Sequence, residues 1–105
     1  MRGYAAARPH VVPESLDELA GPTRGEVVLP ARLDWGPMRE YRLDDPVDAR
    51  LLYERVIREA LRVDDLRTFL NRDLLISLWP KLFLPAPVHV LWEQRFALLR
   101  AALAA

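Results

Sequence analysis

Asp45-Pro46-Val47-Asp48-Ala49-Arg50-Leu51-Leu52-Tyr53-Glu54-Arg55-Val56-Ile57-Arg58-Glu59-Ala60-Leu61 is the stretch that decides the fold class. An aspartate is a preferred helix cap because its carboxylate accepts from the free amides of the first turn. A proline suits the first helical position, where its missing N–H is not needed. Beyond them, apolar residues at 49, 52, 53, 56, 57 and 60 share one side of a helix. The other side alternates in sign, with Arg50, Glu54 and Arg58 in one row and Arg55 and Glu59 in the next. The pattern predicts a surface helix over 46–62, docked on a core and carrying no chemistry.

Downstream, Asp64 is read as the cap of a helix over 65–70, and Asn71 as the cap of one over 72–79 that Pro80 closes. Pro85-Ala86-Pro87 interrupts the chain again and opens a last helix to about residue 103. In it Val88, Trp92, Phe96, Leu99 and Leu103 share a face. The links within 62–87 are short, so consecutive helices must be neighbours in space. Upstream, Ser15 and Glu18 have the spacing of a capping box, and Gly21-Pro22 stops the short helix it starts. Residues 26–30 and 39–43 read as short strands around a turn at Gly36-Pro37. The prediction is a mostly α fold: a four-helix C-terminal domain preceded by a small β-hairpin and a flexible N-terminal arm. The arm spans 1–13 and one domain spans 14–105, with the short helix and hairpin in 14–44 and the helical part in 45–105.

A length of 105 residues allows one modest core. Fifteen basic residues balance fifteen acidic ones, which leaves no excess charge to hold a polyanion. Fourteen of the fifteen bases are arginine, as a GC-rich coding sequence would give, or as arginine-based ion pairing at an interface would require. With no cysteine, disulfides, thiolate catalysis and zinc–thiolate sites are excluded. No apolar run nears the roughly 20 residues of a membrane span, and residues 1–7 lack a signal peptide's apolar stretch, so the expected location is cytoplasmic.

Candidate chemistry is sparse. His10 and His89 are the only histidines, and His89 with Glu93 makes one pair where a metal site needs more ligands. Ser15 reads as a cap and Ser77 lies mid-helix among leucines, with no nucleophile elbow around either. Four glycines do not make a phosphate-cradling loop. The pairs Asp44/Asp45 and Asp64/Asp65 sit at helix starts, where free amides and the helix dipole favour negative charge. The sequence thus assigns no catalytic residue, metal site or cofactor, and reads the chain as a binding protein and no enzyme.

Trp79 and Trp92 fall on apolar helix faces and read as core. Trp35 is different, a large ring in a turn that either lids the core or anchors a partner. The candidate partner-binding residues are Tyr4, Val11 and Val12 in the arm, Trp35, Met38 and Tyr41 on the hairpin, and Arg39 and Arg42 as rim charges. The alternative is a DNA-binding transcriptional regulator with a helix-turn-helix-like unit at 46–79, its bases being Arg62, Arg67 and Arg72. The helix over 72–79 offers a single arginine on an apolar body, which is poor equipment for reading base edges. A purely structural subunit is the third reading.

The runs Leu29-Pro30-x-x-Leu33-Asp34-Trp35, Tyr41-x-Leu43-x-Asp45-Pro46 and Leu52-Tyr53-Glu54-x-Val56-x-Arg58-Glu59-Ala60 belong together with three more. These are Asp65-Leu66-x-x-Phe69-Leu70, Leu78-Trp79-Pro80-x-Leu82-x-Leu84-Pro85 and Trp92-Glu93-x-Arg95-Phe96. Over roughly 12–96 the chain resembles a family of short proteins of high-GC bacteria, often encoded beside nucleotidyltransferase toxins of the abortive-infection type. The resemblance implies an antitoxin-like partner of such a toxin. Its motifs mark tryptophans and helix boundaries, so it carries over no functional residue. Larger antitoxins of such systems use a basic winged-helix portion on DNA, which has no counterpart here, so autorepression does not follow.

Overall fold

The computed structural model describes residues 10–104. Helix α1 (Pro46–Glu59) begins where its cap dictates: the Asp45 carboxylate accepts from the amides of Val47 (2.8 Å) and Asp48 (3.3 Å). All six apolar positions of its stripe, Ala49, Leu52, Tyr53, Val56, Ile57 and Ala60, are buried. Then follow α2 (Val63–Phe69), α3 (Arg72–Leu78), a 3₁₀ turn at Trp79–Lys81, α4 (Ala86–Arg95) and α5 (Ala97–Ala104). The fold is mostly helical, with a two-stranded hairpin ahead of the helices. None of the described helices is long and apolar enough to cross a membrane.

Four details differ from the sequence reading. The last helix is two helices: Phe96 takes an extended conformation (φ −127°, ψ 105°) between α4 and α5. The break lets Phe96 and Leu99 both point inward, and Arg100 donates to the Glu93 carbonyl (2.6 Å) freed at the end of α4. Leu103, expected on the buried face, is half exposed as a result. Second, α2 is preceded by Arg62, with no side-chain cap, and the Asp64 carboxylate instead pairs with Arg67 (2.9 Å). Third, Asp65 is a buried acid, held by Arg32 and by Arg62 (3.8 Å). Fourth, Glu54 is buried although its row was read as solvent-facing; it accepts from the Phe83 amide (2.7 Å) and faces Arg50 (3.6 Å). Both buried acids answer a nearby donor, as burial of charge requires.

Ahead of α1, Ser15 and Glu18 form the expected reciprocal capping box on a single 3₁₀ turn, Leu16–Glu18. The chain then runs against α2, where the Ala20 amide donates to the Arg67 carbonyl (3.0 Å) and the Gly21 amide to the Leu70 carbonyl (2.8 Å). Strands β1 (Glu26–Val28) and β2 (Glu40–Arg42) pair antiparallel, with Val27 opposite Tyr41. These two face the core, Tyr41 buried and Val27 partly so, while β2 packs along α1. One continuous cluster of buried side chains joins Leu16 to Leu99, with Trp79, Trp92 and Phe96 in ring contact at its centre.

Candidate interaction surface

The loop joining the two strands carries one of the two most exposed aromatic side chains of the described residues, Phe83 after the 3₁₀ turn being the other. Its backbone is pinned at both ends of a tight turn: the Pro30 carbonyl accepts from the amides of Leu33 (2.9 Å) and Asp34 (3.1 Å). Leu33 plugs the core at 1% exposure. Asp34 takes the Tyr41 hydroxyl (2.6 Å) and lies 3.7 Å from Arg55 of α1. The next residue, Trp35, is therefore thrown outward and is 76% exposed, with Met38 at 86%. Between them and α2 lies a groove of ≈ 540 Å³, lined by Val28, Pro30, Ala31, Gly36, Met38 and Phe69 among others. A methionine lining an apolar groove and an exposed tryptophan on the same anchored loop make the composition of a binding surface.

The candidate residues do not all belong to it. Met38 lines the groove, and Trp35 lies in the chain between two of its lining residues, Asp34 and Gly36. Tyr41 does not: its ring is buried at 3% exposure, and burial, with the Asp34 hydrogen bond second, pushes its hydroxyl pKa up. It is a core residue because Asp34 satisfies its only polar atom. Arg39 is engaged within the molecule, lying 4.7 Å over the Tyr41 ring and 2.9 Å from Asp48. Arg42 is exposed, and its backbone amide donates to Asp48 (3.0 Å). The Arg42 amide first, and then the Arg39 guanidinium, hold the Asp48 carboxyl below its ordinary pKa. Val11 and Val12 are partly buried and pack on the core, with Pro13 buried beside them. Tyr4 lies outside the described residues.

Sequence reasoning missed Val28, Asp34 and Phe69. Asp34 had a partial signal, an acid between a leucine and a tryptophan ahead of the Gly36-Pro37 turn. Phe69 had none, since its approach to the hairpin is set by helix packing.

The buried and half-buried acids elsewhere are committed to structure. Glu93 accepts from the Trp79 indole (2.8 Å) and stands 3.4 Å from His89 Nδ1, while Asp65 and Glu54 hold the partners named above. No group of three potential metal ligands occurs among the described residues. The arginines of the helix-turn-helix-like unit are paired too: Arg67 with Glu18 (2.7 Å), Arg72 with Asp17 (3.2 Å) and Asp73 (2.8 Å), and Arg62 with Asp65. Comparison with family models, with curated proteins and with solved structures finds no match to this chain.

Proposed function

We propose that this chain is a small protein-interaction module that binds and restrains a nucleotidyltransferase-type toxin, and that it performs no catalysis of its own. The observation that carries a binding role is the outward-facing pair Trp35 and Met38 on a loop fixed by Asp34, since a loop backbone already held in place has less entropy to lose on binding. The identity of the partner rests on the resemblance over 12–96. DNA binding is the weaker reading because Arg62, Arg67 and Arg72 already face carboxylates, and each would have to give up that partner to meet a phosphate.

Co-expression with the product of the neighbouring open reading frame tests the proposal. The expected result is relief of that product's toxicity and co-purification of the two chains. Trp35→Ala is expected to weaken the complex at least tenfold, about 1.4 kcal/mol. Toxicity that persists undiminished beside a well-folded chain overturns the antitoxin reading. Salt-sensitive retention of the chain on DNA would point to the regulator instead.

A further inference from the structure

The hairpin has one used edge and one open edge. Leu43 donates its amide to the Gly25 carbonyl (2.8 Å), and the register pairs Val27 with Tyr41. In an antiparallel ladder the bonded pairs recur every second residue, so Val27 and Tyr41 exchange their hydrogen bonds. The backbone groups of Glu26 and Val28 then point away from β2, and those of Glu40 and Arg42 point away from β1. On the β2 side, the Arg42 amide is taken by Asp48 of α1 and the Arg42 carbonyl accepts from the Asp45 amide (3.0 Å), which leaves the outward groups of Glu40 alone unmet by a described residue. On the β1 side, no described residue meets the outward groups of Glu26 or Val28. Beside Val28 lies the apolar groove against Met38 and Phe69.

We infer that β1 receives an extended segment of a protein partner as a third, antiparallel strand, with an apolar residue opposite Val28 at the groove and a basic residue opposite Glu26. This rests on the protein-binding reading and names its mode. Strand addition supplies main-chain hydrogen bonds for affinity and alternate side chains for specificity. Read in chain order the partner motif is apolar–any–basic. The site is short, because Gly25 (φ +88°) turns the chain at one end and Pro30 lacks an N–H at the other. The groove must therefore supply much of the specificity.

A second copy of this chain fits the edge poorly in each register that uses the outward groups. Glu26 opposite Val28 of the other copy sets a carboxylate beside the apolar groove. Glu26 opposite Glu26 sets like charges face to face. Val28 opposite Val28 brings Pro30 opposite Glu26, where the ladder loses a donor. A basic residue at that place in a different chain meets Glu26, which is exposed, with an opposite charge.

The test pans a random decapeptide phage library against the full chain and measures the enriched peptides on variants. The expected consensus is apolar–any–Lys/Arg, and added peptide should slow amide exchange at Glu26 and Val28. Val28→Pro deletes an outward N–H without touching the Val27–Tyr41 bonds, and should weaken binding at least tenfold with the circular dichroism unchanged. Glu26→Arg should shift the selected residue from basic to acidic, and decides the matter alone should the proline variant unfold the hairpin. Peptides that bind both variants as they bind wild type, or a library that yields no consensus, overturn strand addition. If such peptides are nevertheless lost with Trp35→Ala, the protein-binding reading stands and only its mode fails. A dimer that Val28→Pro converts to monomer overturns the choice of occupant.

Discussion

The three tryptophans divide by what their neighbours offer. Trp79 and Trp92 are fully buried, and Trp79 donates its indole N–H to Glu93 while its ring meets His89 edge-on at 5.0 Å. Trp92 is buried with its N–H unpartnered among the described residues, so packing alone holds it there. Trp35 is 76% exposed, and Leu33, two residues before it, is the residue of this loop that enters the core. Trp35→Ala is therefore expected to change folding stability by no more than ~0.5 kcal/mol, whereas Trp79→Ala should cost ~3–5 kcal/mol. Urea unfolding of the two variants checks this, and equal losses would place Trp35 in the core. Tyr41 shows what was legible at this scale. The alternation over 39–43 puts Tyr41 and Leu43 on the same inner face, and both are buried. What argued for the surface was its nearness in sequence to Trp35 and Met38, and the acceptor that lets its hydroxyl be buried, Asp34, lies in the loop joining the strands.

Elements marked by local chemistry were readable, and elements shaped by tertiary contact were not. Asp45-Pro46, the capping box at Ser15 and Glu18, and the Asn71 cap, which takes the Leu74 amide (3.1 Å), all act within a few residues of themselves. The break at Phe96 carries no glycine or proline. It persists because Phe96 and Leu99 gain the core while Arg100 closes the freed carbonyl, and a repeating apolar face does not announce that. Burial of Glu54 depends on Phe83, which belongs to the far side of the 3₁₀ turn. Gly21 is a further case, a stop signal in sequence and a close approach in space. A Cβ there would sit 2.5 Å from the Phe69 carbonyl carbon and 2.7 Å from the Leu70 nitrogen, both backbone atoms that cannot swing aside. Gly21→Ala should therefore push the 20–21 segment off α2, weaken the Gly21–Leu70 hydrogen bond and cost at least ~1–3 kcal/mol. Chemical denaturation measures the loss. A neutral result would show that the segment and α2 do not lie this close.

Across the whole molecule, one side chain ties three segments together. Tyr53 of α1 is fully buried, and its hydroxyl accepts the Asn71 amide (2.8 Å) at the start of α3, where Asn71 also bridges to Ala20. Burial pushes the Tyr53 pKa from 10 up to about 12, an effect that the Asn71 N–H, by favouring the tyrosinate, offsets only in part. Because the folded pKa is the higher one, the unfolded chain loses its proton first as pH rises. Between pH 10 and 12 the unfolded state thus binds fewer protons than the folded state, and stability falls with increasing pH. The contribution is fully present below pH 10 and lost through about pH 12, amounting to ~2–3 kcal/mol. Tyr41, shifted in the same direction, adds to the same loss. Tyr53→Phe removes the titrating group but leaves the Asn71 amide without its acceptor. The variant should be less stable than wild type at neutral pH by ~1–3 kcal/mol, yet decline less steeply above pH 10. Urea midpoints of both proteins from pH 7 to pH 12 test the two statements together: the curves should converge at the alkaline end, and parallel curves would show that Tyr53 does not govern the alkaline transition.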